Sequence, residues 1–201
     1  MRRKTFDAIS SVVGLGLAII LLVSGGFLMW GSTYIHNTVH GQLAAQQIYF
    51  PPAAAFAHAK AGTEITPSMI PSVSQYAGQQ LLTGQQAEAY ADHFIAVHIA
   101  NMTGGKTYAQ MSAASLAQPG NTKLAATVNT VFKGETLRSM LLNAYGWWKA
   151  SQLMYIAAIT AFVLAGLALI ASALGFWHLR KASPDEEVFP GLTQHDTVRA
   201  A

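Results

Sequence analysis

Hydrophobic and polar positions divide this chain into two long apolar runs and the more polar stretches around them. Residues 9–30 hold 22 positions without a charge, and residues 153–177 hold 25. A helix rises ~1.5 Å per residue, so either run covers a hydrocarbon core of ~30 Å. The stretch between them is polar, charged and interrupted by Pro and Gly, so it belongs outside a bilayer. The pattern predicts an all-α protein: two transmembrane helices with a small helical cap. The divisions are a tail at 1–8, a first span at 9–30, an outer domain at 31–152, a second span at 153–177 and a disordered tail at 178–201.

Within the outer domain the periodicity is helical. Ile35, Val39 and Leu43 recur every four residues, so the first span is expected to continue out of the membrane to about residue 47. IYF at 48–50 before Pro51-Pro52 reads as extended, because a residue preceding Pro avoids the α region. Residues 53–71 read as mostly irregular, with a short helix in AAAFAHA, and residues 75–82 as a short helix. Residues 85–102 carry the clearest apolar stripe: Ala87, Tyr90, Ala91, Phe94, Val97 and His98. Asp92 and His93 fall off it and are expected to face water. Gly104-Gly105 stops this helix. A further helix spans 108–117, and Asn121 caps the next. Lys133-Gly134 is expected to be a hinge before the run into the second span.

Both spans carry small residues four apart: Ser10, Gly14, Ala18 and Gly26 in the first, and Ala157, Ala161, Ala165 and Ala173 in the second. Small residues let helix backbones approach closely in lipid. The spans therefore pack on each other, or one stripe docks onto a larger membrane complex.

Charge adds orientation. Arg2, Arg3 and Lys4 precede the first run, and Arg180 and Lys181 follow the second. Both tails read as cytoplasmic and the middle as extracytoplasmic, in the plasma membrane. The middle carries six cations and four acids, sparse enough to be translocated. The overall +3 charge sits largely at the span flanks, so a nucleic-acid partner has no support. There is no cysteine, which removes disulfides, thiol zinc sites and haem attachment through CxxCH.

The phrases IYFPP (48–52), QYAGQQ (75–80), AYADHFIAVHI (89–99), GGKTYAQ (104–110) and GETLRSMLLNAYGW (134–147) occur in this order between the two spans. Together they resemble a family of two-span membrane proteins from actinobacteria. Its members often carry the label "aromatic ring-opening dioxygenase". The resemblance, over roughly residues 33–177, implies the fold and the membrane location; the label implies a metal-dependent oxygenase.

The residues themselves give little chemistry. A non-haem iron site takes two His and a carboxylate. His36 and His40 share a helix face, but no third ligand lies near them in sequence. His93 and His98 are five apart and point to different sides of a helix. His98 sits on the apolar stripe and reads as a buried, hydrogen-bonded ring. No catalytic residue, metal site or cofactor is predicted. Glu135 and Arg138 in GETLR are three apart among apolar neighbours, with Asn143 and Tyr145 near enough to assist. They read as a polar clasp joining cap and span, or as an anion site using Arg138. Tyr49, Phe50, Tyr76, Tyr90, Phe94 and Tyr108 are candidates to line a small-molecule pocket. Three functions follow in order: a non-enzymatic accessory or scaffold subunit of a cell-envelope assembly, with the lipid bilayer and a membrane complex as partners; a membrane-anchored small-molecule binding module; and the oxygenase of the family label.

Overall fold

The computed structural model describes residues 2–181 and Ser183; the expected disordered tail lies almost wholly outside them. The protein is all-α, with no strand among the described residues. In chain order the helices are α1 (Arg3–Ala45), α2 (Ala53–Ala57), α3 (Ile70–Val73), α4 (Gly84–Tyr90), α5 (Ala96–Thr103), α6 (Tyr108–Leu116) and α7 (Thr122–Lys181). Short 3-10 turns flank α3, and a π-helical turn (Ala91–Ile95) joins α4 to α5. The chain divides into two compact units, residues 1–31 with 154–201, and residues 32–153.

The first unit is a helix pair. Both helices that supply it are long and apolar enough to cross a membrane. Only 11% and 17% of their most apolar windows are buried, which is unlike the core helix of a soluble protein. Large side chains such as Ile20, Phe27, Ile156 and Leu167 point outward, while Ser11, Ala18 and Gly25 face Ala158, Ala165 and Ser172. Contacts between Gly14 and Ser172, Gly25 and Phe162, and Gly31 and Met154 run in opposite chain directions, so the pair is antiparallel. The small-residue stripe therefore lies at a different phase from the one the four-residue spacing suggests. Ser10, Gly26, Ala157 and Ala173 are exposed. Ser11, Ala18 and Gly25, and Ala158, Ala165 and Ser172, repeat every seven residues, the 3.5-residue period that keeps one seam facing a partner helix, and Ala161 of the expected stripe is buried beside them.

The second unit has one apolar core. Val39 and Leu43 from α1, Phe50, Phe56, Met69, Val73 and Leu81 from the connecting segments, Ile95 and Ile99, and Val131, Leu141 and Trp148 from α7 are all buried in it. Ser32 Oγ donates to the Ser151 carbonyl at 2.7 Å, and Ser151 Oγ to that of Trp148 at 2.7 Å. α1 ends where Gln47 adopts φ +52°. The helix expected over 75–82 is a single turn (Ser74–Tyr76), because Gly78 at φ +70° reverses the chain. Residues 79–81 are then extended beside 48–50: Phe50 N–H donates to the Gln79 carbonyl, and Leu81 N–H to that of Ile48, each at 2.9 Å.

Reciprocal capping boxes start α4 and α6. Thr83 Oγ1 accepts from Gln86 N–H while Gln86 Oε1 accepts from Thr83 N–H, and Thr107 and Gln110 repeat the arrangement. Asn121 caps α7 through Leu124 N–H, at 3.0 Å. Instead of a hinge at Lys133-Gly134, α7 runs through unbroken. Gly134 is there for contact: a Cβ on it would lie 3.0 Å from Ile99.

Candidate functional site

The helical stretch α4–α5 builds the most distinctive surface of the second unit. Besides Gly84, Gln86 and Ala89 in its first turns, its buried positions form one line, Ala87, Ala91, Ile95, Ile99 and Thr103, each four apart. In an α-helix such a line drifts by ~40° per step. The π turn is wider and takes up part of the drift, so the line stays against the core. Gly104 at φ +63° then closes α5.

Beside that line runs a half-buried aromatic row. Tyr76 packs on Phe50 at a centroid distance of 5.1 Å, Phe50 on Tyr90 at 5.3 Å, Tyr90 on Phe94 at 4.7 Å and Phe94 on His98 at 4.5 Å. The structure thus brings together four of the six expected pocket aromatics, with His98, also a binding candidate from the sequence, at the end of the row. Tyr49 and Tyr108 are not among them. Tyr49 is exposed, and Tyr108 is exposed against Phe132 at 5.6 Å. The row is packed ring on ring, so it forms a wall rather than the hollow the sequence suggests.

The hollow lies at the His98 end of the row. A cleft of about 210 Å³ is lined by Phe94, Ile99, Met102, Thr130, Gly134 and the Glu64 side, together with Ile95 and His98. His98 is half-buried, and its Nδ1 lies 2.8 Å from the Phe94 carbonyl oxygen. A carbonyl can only accept, so Nδ1 carries a proton, and the neutral tautomer that makes this contact has its lone pair on Nε2. Glu64 enters from the loop after α2. Thr63 fixes that loop, its hydroxyl lying 2.7 Å from the Lys60 carbonyl and 2.8 Å from that of Ile65. Burial, and then the charge of Glu64, push the Tyr90 phenol above its ordinary value. Two broader grooves, of about 420 and 380 Å³, lie between α1 and α7 and share Val39, Gln42, Asn143 and Trp147.

Arg138 is placed differently from expectation. Its Nη2 donates to Asp92 Oδ1 at 2.8 Å, and its Nη1 meets Glu135 Oε2 at 3.5 Å. Asp92, read from sequence as facing water, is therefore the main partner, in place of Asn143 or Tyr145. The clasp joins α7 to the π turn. The guanidinium is held above its already high ordinary value, first by the Asp92 hydrogen bond and then by the charges of both acids, against some desolvation. With two carboxylates already engaged, Arg138 is a poor anion receptor.

The side chains are about one-third exposed, which limits what the clasp contributes. The Arg138–Asp92 coupling in a double-mutant cycle should be about 1–2 kcal/mol, and that of Arg138–Glu135 below about 1 kcal/mol. Chemical unfolding of Arg138→Ala, Asp92→Ala, Glu135→Ala and the double variants in detergent measures both. Equal couplings would mean that the 2.8 Å contact is not the dominant one.

His36 packs its ring on Trp148 at a centroid distance of 4.0 Å, which explains its place without a metal. Among the described residues no three His, Asp or Glu side chains converge as metal ligands. Sequence reading missed Glu64, Met102 and Thr130, which reach the cleft from separate segments and carry no local signal. No family model matches this chain, and neither a curated protein nor a solved structure is similar to it.

Proposed function

We propose that this chain is a membrane-anchored binding module whose second unit takes up a small, largely apolar molecule in the Phe94–His98 cleft. One observation carries the reading: an apolar cleft of about 210 Å³ whose lining includes Glu64 and His98. Sites for small molecules are typically apolar with a few placed polar groups. The role is non-enzymatic. A membrane oxygenase of the kind the family label suggests would need a third metal ligand beside Glu64 and His98.

The accessory-subunit reading drew on the small-residue stripes. Ala18, Ala161 and Ala165 of those stripes are buried in the helix pair, whereas Ser10, Gly26, Ala157 and Ala173 are exposed and form no continuous seam, so what favours a protein partner is now the groove shared by Gln42, Asn143 and Trp147. It stands as the second reading, and co-purification under mild detergent tests it.

Binding is tested on the full chain in lipid nanodiscs with methyl-labelled Ile and Met. Titrating 2-phenylethanol should shift the Ile99 and Met102 signals and leave the Ile156 and Ile170 signals on the span surface unchanged. Shifts confined to the span signals would make the molecule a lipid solute and sink the reading.

In this reading the module lies outside the plasma membrane with both termini in the cytoplasm, an orientation supported by the Arg2-Arg3-Lys4 and Arg180-Lys181 flanks. The chain has no cysteine, so labelling is clean. Thr122→Cys should react with an impermeant maleimide in intact cells, and Ser183→Cys only after lysis. The opposite pattern would invert the topology.

A further inference from the structure

Every polar group that the Phe94–His98 cleft presents is electron-rich. The Glu64 carboxylate accepts only. His98 Nδ1–H donates a hydrogen bond to the Phe94 carbonyl, and in that neutral tautomer Nε2 offers a lone pair. The Thr130 hydroxyl donates to the Ala126 carbonyl at 3.1 Å and has only lone pairs left. The Phe94 ring offers a π face and Met102 a thioether sulfur, both of which attract cations or donors. No Lys or Arg lines the cleft, and among the described residues Glu64 has no cation within ion-pair distance. Ile95, Ile99 and the Met102 chain leave an apolar floor.

We propose that the cleft selects an organic ammonium ion with an apolar body: an aryl- or alkylamine whose cationic head meets Glu64, His98 Nε2 and the Phe94 face, while its hydrocarbon part fills the floor. This rests on the binding-module reading and adds the charge of the ligand to it. A bare metal ion does not fit, because two ligating side chains fall short of the usual three or four and the rest of the surface is hydrocarbon. A carboxylate or phosphate would meet a like charge and find no donor. A neutral aromatic alcohol would fill the floor but leave the Glu64 charge unanswered. The hydrogen bonds of Thr63 to Lys60 and Ile65 fix the backbone that carries Glu64, which lowers the ordering that binding requires.

Three probes of similar size separate the possibilities: 2-phenylethylammonium, 2-phenylethanol and 3-phenylpropionate. Each is titrated into the full chain in nanodiscs of zwitterionic lipid, with the Ile99 and Met102 methyl signals as the readout. The ammonium should bind about tenfold more tightly than the alcohol, from an ion pair at a partly exposed rim with a cation–π contact, and the propionate least. Glu64→Gln, at an exposed loop position, should remove the preference for the ammonium while the alcohol binds as before. Thr130→Trp, an exposed helix position, should fill the cleft and abolish binding of all three. If ammonium and alcohol bind equally, or the propionate binds best, the charge assignment is wrong and the binding module survives. If none of the probes shifts the cleft signals, both are wrong.

Discussion

Trp148→Ala is expected to cost the second unit about 3–5 kcal/mol, the range for truncating a buried large aromatic side chain. Trp148 is 5% exposed and belongs to the single core of that unit. It also organises contacts from three parts of the sequence. His36 of α1 stacks on its ring, Gly84 at the start of α4 lies directly against its Cβ and Cγ, and its own carbonyl receives the Ser151 hydroxyl. Removing the indole leaves a void bordered by helix backbones, which relax poorly. In thermal unfolding of the full chain in detergent the midpoint should fall by about 10–20 °C. Trp148→Phe should cost far less. It keeps a ring in place, and the indole N–H it deletes is buried without a hydrogen bond among the described residues. Gly84→Ala tests the same contact from the other side. An added Cβ there would overlap the indole, and overpacking typically costs about 1–3 kcal/mol. Unfolding midpoints within a degree or two of wild type for both Trp148→Ala and Gly84→Ala would show that this junction does not hold the unit together.

The parts of this architecture that were legible in the sequence are those decided by short stretches of chain. A charge-free run of 22 or 25 residues is a property of composition and length, and needs no knowledge of partners. Asn121 and Thr107 cap helices through atoms three residues away, so their chemistry is local. Pairings across the fold were not legible. Arg138 has Glu135 one turn away, and sequence proximity favours that pair. Its shorter contact is to Asp92, 46 positions earlier, brought near by a π turn that no residue announces. Glu64 lies in a loop of no evident pattern and becomes informative only once the cleft lies beside it. The aromatic residues were recognisable as a group, but whether rings line a hollow or fill one depends on their packing partners. Phe50, Tyr76, Tyr90 and Phe94 fill theirs.

The phase of the helix pair shows the same limit, and it supports a sharp prediction. Ala18 and Ala165 belong both to the four-residue stripes and to the seven-residue repeat that is actually buried, so the sequence alone does not choose between them. The choice changes which residues meet. In the structure Gly14 lies beside the seam formed by Ser11, Ala18 and Gly25, and a Cβ placed on it is 3.7 Å from Ser172 Cβ, within the ~3.5–4.5 Å that a disulfide requires. Gly14→Cys with Ser172→Cys should therefore cross-link nearly completely when membranes are treated with a mild oxidant. No native cysteine competes. The product should migrate differently from the reduced chain on a denaturing gel, and a reductant should reverse the shift. Gly16→Cys with Ser172→Cys is the control, because a Cβ at Gly16 meets nothing within 4 Å, and it should cross-link little. Efficient cross-linking of the control pair would mean the helices rotate or slide freely. Failure of the first pair together with efficient cross-linking of Gly26→Cys with Ala157→Cys, or of Ser10→Cys with Ala173→Cys, would place the exposed members of the four-residue stripes in the seam.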